Sequence, residues 1–253
     1  MSAIDEVFAR PIAHRGLHGQ GQDAVENSAT AFALAIAGGF GIECDLQLIG
    51  DQVPLVFHDE TLDRLTDQSG AVADISAEQA IRIPFSGSRE GPITLPQMLT
   101  LVGGRVPLVI ELKTQQTRNL ALAKATMDAL TGYHGVVAIK SFEPRLLTAM
   151  RSAGFAGPLG ILIGPVSLGG KPEDSTATLQ VAGRMALRQL IHEPPAQFDF
   201  ISTAYSIIDL PAFNLLRRVG KKMMAWTIRS HEEAKNALDH ADQIVFEGFM
   251  PKG

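Results

Sequence analysis

Short apolar runs alternate with amphipathic segments along the whole chain. The apolar runs predict strands over 11–15, 40–48, 107–113, 136–142, 159–163, 198–202, 223–228 and 243–246. Apolar positions at helical spacing predict helices over 28–37, 95–102, 117–130, 144–152, 175–190, 211–219 and 231–238. Start signals agree with these placements. Asn27 or Ser28, Thr94 and Ser230 stand where N-caps belong, and Gly103, Gly154 and Gly220 stand where helices should stop. Repeated strand–helix alternation implies a parallel sheet. Eight such units ending close to the C-terminus favour an α/β fold of the (β/α)8 TIM-barrel type over an open sheet. The rival doubly wound sheet lacks its usual fingerprint, because no GxGxxG or GxxxxGK[ST] opens a helix.

One spacing breaks the rhythm. An even eighth of the chain is ~32 residues, yet Glu111 follows Asp45 by about twice that. The surplus contains a short run, 53–58, that reads as an extra strand. A Pro/Gly/Ser-rich stretch follows over 84–92. The expectation is one catalytic barrel domain over 1–253. A small insertion over about 49–92, between the second and third barrel strands, would sit on its rim without a core of its own.

Alternation also sorts the polar residues. In Ile42-Glu43-Cys44-Asp45-Leu46-Gln47-Leu48, period two puts Glu43, Asp45 and Gln47 on one face and the apolar residues on the other. Val109, Glu111 and Lys113 share a face of the next strand. Read alone, Glu43 and Asp45 also suit an ordinary half-buried strand. With Glu111-Leu112-Lys113 at the end of an apolar run, three carboxylates and an ammonium are expected to project into one barrel mouth. Carboxylates held that close repel unless a cation lies between them. Hard oxygen donors suit a divalent metal such as Mg2+ or Ca2+ better than zinc.

Strand ends supply the rest. The first strand ends in His14-Arg15-Gly16, and the extra run ends in His58-Asp59. Histidine exchanges protons near neutrality, and the arginine fork fits phosphate. Two histidines, an Arg, a Lys and three carboxylates at strand ends match metal-assisted phosphoryl chemistry. Cys44 points away from Glu43 and Asp45 and reads as a small core hydrophobe. Trp226 suits either ordinary core or a wall of the substrate pocket.

Composition narrows the field. The 253 residues are 45% apolar, enough for a sizeable core. Against 22 Lys and Arg stand 27 Asp and Glu, a formal charge of −5 with no basic run, which argues against a nucleic-acid partner. The uncharged stretch 28–42 is too short to span a bilayer, so no stable membrane insertion is expected. Residues 1–10 carry Asp5 and Glu6 and no apolar run of a signal peptide. With one cysteine in the chain, a cytoplasmic location is expected. Nothing in the pattern fixes an oligomeric state.

At these residues the sequence resembles the glycerophosphodiester phosphodiesterase family. The matching segments run in order. They are His14-Arg15-Gly16, Glu26-Asn27-Ser28, Glu43-Cys44-Asp45, His58-Asp59, Leu62-Asp63-Arg64-Leu65-Thr66 with Gly70, Val72-Ala73-Asp74, Ile93-Thr94-Leu95, Ile110-Glu111-Leu112-Lys113, Ser141-Phe142 and Trp226-Thr227. The resemblance implies a (β/α)8 barrel and a divalent metal held by Glu43, Asp45 and Glu111. It implies His14 and His58 as the acid/base pair, Arg15 and Lys113 on the phosphate, and Glu26 and Asn27 in support. The implied reaction is hydrolysis of a small-molecule glycerophosphodiester to glycerol 3-phosphate and an alcohol.

Alternatives are a lysophospholipase D-type phosphodiesterase, for which Ile81, Ile83, Pro84 and Phe85 would offer an apolar surface, and a non-catalytic barrel that binds a phosphorylated metabolite. The chain departs from the family pattern at Val25, Leu65, Arg229 and Phe246-Glu247. Arg229 and Phe246 are expected to alter the leaving-group pocket.

Overall fold

A computed structural model describes residues 1–19, 21, 23–115, 118–165 and 198–251. The described strands are β1 (Ile12–Ala13), β2 (Gly41–Leu48), β3 (Pro54–Val56), β4 (Leu108–Leu112), β5 (Val137–Ser141), β6 (Leu159–Ile163), β7 (Phe200–Ala204), β8 (Lys222–Ile228) and β9 (Gln243–Phe246). The described helices are α1 (Ala3–Val7), α2 (Ala29–Ala37), α3 (Ala77–Ala80), α4 (Leu95–Val102), α5 (Asn119–Leu130), α6 (Pro144–Ser152), α7 (Pro211–Arg218) and α8 (His231–His240). The helix expected over 175–190 lies outside the described residues. None of the described helices is long and apolar enough to cross a membrane.

Eight strands pair in parallel in the ring order β1, β2, β4, β5, β6, β7, β8, β9. β1 closes the ring by pairing with both β2 and β9, with Ile12 opposite Gly41 and Val245. The expected (β/α)8 barrel is therefore present. β1 covers only Gly41 and Ile42 of β2. Further along that flank, β3 pairs antiparallel with β2, Val56 opposite Leu46 and Pro54 opposite Leu48. The extra run 53–58 thus becomes a cover strand that carries His58 back over the strand ends.

Ser28, Thr94 and Ser230 cap α2, α4 and α8 through their side-chain oxygens. Thr94 and Gln97 form a reciprocal capping box, and Gly103 ends α4 at φ 55°. Boundaries shift where local chemistry intervenes. β1 stops before Arg15, whose φ of 54° belongs to the left-handed region. β7 starts two residues later than expected. Ahead of it, the Asp199 carboxylate accepts hydrogen bonds from Leu159 N–H at 2.8 Å and Arg151 at 2.9 Å. The later start leaves the inward and outward alternation of the strand unchanged. Helices α1 and α3 were not expected; both are under two turns, too short for periodicity to reveal.

Apolar residues occupy two concentric layers. Ile42, Cys44, Leu46 and Leu48 face outward with Ile110 and Ile139 and pack beneath the helices. Inside the barrel, Ile12, Val109, Ala138, Phe200, Met224 and Val245 form a floor. Val7 and Phe8, at the end of α1, close that floor from below, with Phe8 edge-on to Phe200 at 5.7 Å. Gly160 belongs to this interior, because a Cβ there would lie 2.2 Å from the Phe200 ring.

The connection between β2 and β4 has a small core of its own: Ile49, Leu55, Phe57, Leu62, Val72, Ala80 and Phe85 are buried together. This corrects the expectation of a rim segment without one. Scattered single apolar residues converge only when the turns around Leu62 and Phe85 fold back, a placement alternation cannot show.

Candidate active site

Two residues beyond each floor position, the same strand face presents a polar or aromatic group. Ile12 leads to His14, Val109 to Glu111, Ala138 to Lys140, Phe200 to Ser202, Met224 to Trp226 and Val245 to Glu247. The period of two along parallel strands places all of them one layer higher, at the C-terminal mouth of the barrel. Glu43 and Asp45 join them from β2.

One oxygen from each of Glu43, Asp45 and Glu111 lies within 4.8 Å of the other two, and all three residues are buried. Cations compensate them. Lys113 Nζ stands 2.9 Å from Asp45 Oδ1 and 2.7 Å from Glu111 Oε1. Lys140 Nζ stands 2.8 Å from Glu43 Oε1 and 3.9 Å from Glu111 Oε2, and only 2% of its side chain is exposed. Burial alone would raise the Asp45 pKa. Lys113 and Arg15 outweigh it, with both histidines adding to them, and hold this carboxyl far below the usual range. Burial opposes ionisation of Glu43 in the same way, and Lys140 turns the balance downward. Burial acts against the charged form of Lys113 too, yet Asp45 and Glu111 push its pKa above that of a free lysine.

The turn after β1 is built for close approach. Arg15 and Gly16 both have positive φ, and a Cβ on Gly16 would lie 2.9 Å from Ala31 and Phe32 of α2. That turn aims the Arg15 N–H at Glu43 Oε2, 3.1 Å away. The Arg15 guanidinium reaches Glu26 at 2.7 Å and Asp45 at 3.3 Å. Asn27, fully buried, also has positive φ; its Nδ2 donates to Asp45 Oδ2 at 2.9 Å and its N–H donates to the Arg15 carbonyl at 2.8 Å. Glu26 and Asn27 thus hold the Arg15 turn and one metal-type carboxylate in place.

Both histidines are backed by carboxylates. His14 Nδ1 is 2.7 Å from Glu247 Oε2, and its Nε2 is 4.0 Å from Glu43. The His14 hydrogen bond is the main cause that lowers the Glu247 pKa to about 2, against partial burial. His58 Nδ1 is 2.6 Å from Asp59 Oδ1. Arg64 then joins Asp59 to Glu26, reaching them at 2.5 Å and 2.7 Å. A continuous charged chain therefore runs from His58 through Asp59, Arg64 and Glu26 to Arg15. Burial lowers the His18 pKa, with Glu247 and Glu26 acting against it.

Trp226 is a mouth residue, edge-on to Phe142 at 5.9 Å, with its ring 3.3 Å from where a Gly164 Cβ would lie. Cys44 is buried outside the barrel, and burial raises its thiol pKa well above the ordinary value.

Two expectations change. Phe246 faces outward, stacked edge-on against Phe40 at 4.9 Å within the outer core, so it does not shape the pocket. Its parity is opposite to that of Glu247. The apolar surface expected for an acyl chain is largely internal. Phe85 is 1% exposed and Ile83 packs on the same small core, so of the four named residues only Ile81 and Pro84 are exposed. The sequence expectations give no role to Lys140 or Arg64 and no pairing of Glu247 with His14, although Arg64 lies in a segment that resembles the family. Strand parity from Ala138 would have found Lys140; no local signal brings Arg64 to Glu26.

A family model described as "Glycerophosphoryl diester phosphodiesterase family" matches residues 14–242. A Caldanaerobacter subterraneus glycerophosphodiester phosphodiesterase is 32% identical over 146 residues, 54% of this chain and 55% of that protein. Rat glycerophosphodiester phosphodiesterase 1 is 41% identical over 73 residues, 28% of this chain and 21% of that protein. The chain thus spans about a fifth of that mammalian relative and about half of the bacterial one. An Oleispira antarctica phosphodiesterase in complex with the product sn-glycerol-3-phosphate has the same fold, with a TM-score of 0.78 and 20% identity across 97% of this chain and 95% of that one. A glycerophosphodiester phosphodiesterase from Thermotoga maritima superposes with a TM-score of 0.70 at 19% identity, covering 93% of this chain and 92% of that one. With nearly all of its length matched by the family model, the chain belongs to the glycerophosphoryl diester phosphodiesterase family.

Proposed function

We propose that this protein hydrolyses glycerophosphodiesters, such as glycerophosphocholine or glycerophosphoethanolamine, to glycerol 3-phosphate and an alcohol. The observation that carries this reading is the convergence of His14, His58, Arg15 and Lys113 on three buried carboxylates at one barrel mouth. The family match and the product named for the Oleispira antarctica relative support it.

The donor chemistry fits a hard divalent cation. Three carboxylates with donor atoms within 4.8 Å of one another suit Mg2+ or Ca2+, and Glu43, Asp45 and Glu111 would hold it. Bound there, such a cation would supply Lewis acidity toward the phosphate. Arg15 and Lys113 complement the phosphate charge. Each histidine donates its Nδ1 proton to a carboxylate, Glu247 or Asp59, which leaves Nε2 available to the reacting atoms. One Nε2 removes the proton of the attacking oxygen, and the other imidazole, protonated, delivers a proton to the leaving oxygen. Arg64, tied to Asp59 and Glu26, keeps the His58 side of the mouth in register with the Arg15 side.

The test is release of glycerol 3-phosphate from a panel of soluble diesters and lysophospholipids with Mg2+ or Ca2+ present. Turnover of soluble diesters, lost on chelation and restored by either metal, is expected. Turnover that ignores chelation would remove the role given to the three carboxylates. Tight binding of glycerol 3-phosphate without turnover of any diester would make the barrel a binding protein instead.

A further inference from the structure

We propose that His14, His18 and Glu247 form a second metal site beside the carboxylate triad, suited to a borderline cation such as Zn2+ or Co2+. One donor atom from each of these residues lies within 4.8 Å of the other two. They come from opposite ends of the chain. His14 and His18 flank the turn after β1, and Glu247 follows β9; closure of the barrel between β1 and β9 brings them together. The donor set of two imidazoles and one carboxylate differs in kind from the all-oxygen triad. Imidazole nitrogen with one carboxylate is a set that zinc accepts with a fourth position open, whereas Mg2+ and Ca2+ prefer oxygen.

A second observation points to a ligand here. The Nε2 atom of His18 is buried and has no hydrogen-bond partner among the described residues. A buried polar atom left unpaired costs free energy, and a cation would satisfy it. His14 Nδ1 and Glu247 Oε2 are hydrogen-bonded at 2.7 Å, so a cation would take the place of the shared proton and part these two donors slightly. For a tetrahedral ion with bonds of ~2.0–2.1 Å, the widest donor separation must close to about 3.4 Å. Arg229 Nη2 stands 3.5 Å from the same Glu247 oxygen and must give way; its side chain is 60% exposed and free to swing outward.

Occupancy has a chemical consequence. A metal on His14 Nδ1 replaces the hydrogen bond to Glu247 and shifts the remaining ring proton to Nε2, with no net proton change for a neutral imidazole. Nε2 then has no lone pair to offer. In the hydrolysis proposed above, zinc would therefore inhibit by locking the wrong tautomer. That consequence rests on the proposed function; the binding itself does not.

The experiment titrates Co2+ into the full chain with Mg2+ at saturating concentration and follows the visible absorption of nitrogen-ligated Co2+. One equivalent that Mg2+ does not displace is expected. His18→Ala and the more conservative His18→Gln should each weaken it by about 10-fold or more, the usual loss when a metal site is perturbed. Zn2+ should displace the Co2+. In a parallel assay, each protein's turnover is scored against its own zinc-free rate, and the wild type should be inhibited at lower Zn2+ than either variant. Co2+ that Mg2+ displaces fully, or that binds equally well to wild type and both variants, would overturn the site. His18-dependent Co2+ binding in a protein that hydrolyses no diester would instead overturn the proposed reaction and leave the metal site standing.

Discussion

At the scale of single residues, the mouth is governed by charge compensation. Six carboxylates (Glu26, Glu43, Asp45, Asp59, Glu111 and Glu247) are matched by Arg15, Arg64, Lys113, Lys140 and Arg229 within 4.0 Å. Lys140 shows why such pairs must be complete. Glu43 is 1% exposed, and without the ammonium its described partners would be reduced to the N–H of Arg15 and, 4.0 Å away, the His14 ring. The residues expected to handle protons are His14 and His58. His14→Ala or His58→Ala should lower kcat by roughly 10²–10⁴-fold, the span general acid–base catalysis supplies. Near-normal turnover in both variants would sink the assignment. Strand-end position points to His14, Arg15 and His58, and period-two alternation groups Glu43 with Asp45 and Glu111 with Lys113. Lys140 was hidden inside an apolar run, and Arg64 reaches Glu26 only through the folded segment between β2 and β4.

At the scale of elements, period-two alternation does most of the positioning. The strand face that supplies the floor supplies the site two residues later, so packing and chemistry share one register. Gly160 on β6 is where this register is tightest. Gly160→Ala would drive a methyl group into the Phe200 ring, and overpacking of this kind destabilises by about 1–3 kcal/mol. A shift of the urea midpoint reads this out, and an unchanged midpoint would mean that Phe200 has somewhere to go. Helix ends were legible for the reason strand ends were: Ser28, Thr94 and Ser230 cap through local side-chain oxygens that need no tertiary partner. Phe246 and Glu247 show the limit. Both depart from the family pattern, but only strand parity in the closed barrel sends one outward and the other to His14.

At the scale of the molecule, a net charge of −5 coexists with a mouth where Arg15 and Lys113 stand among the carboxylates, so local cations are present despite the overall acidity. The same network ties stability to pH. Glu26, Asp59 and Glu247 have pKa values held below their ordinary ones: burial works against this in Glu26 and Asp59 and Arg64 reverses it, while Glu247 answers chiefly to His14. A carboxyl whose pKa falls on folding stabilises above its unfolded value and loses that contribution as pH drops. For Glu247 the window runs from 4.5 down to about 2. The melting temperature should therefore fall steadily as pH is lowered from 5 toward ~2, and Glu247→Gln should flatten part of that slope. A melting temperature that holds level across this range would show that the mouth contributes nothing to acid stability.

The barrel, the strand faces and most of the polar residues gathered at the mouth were legible in the chain alone. Alternation, capping and strand-end position are local properties, written within a few neighbouring residues. Tertiary structure alone decided which charges became partners. Glu247 meets His14 because β9 closes against β1, and Arg64 meets Glu26 because the segment between β2 and β4 folds onto its own small core. Such pairings join residues far apart in the chain, and their geometry exists only once the backbone between them has been placed.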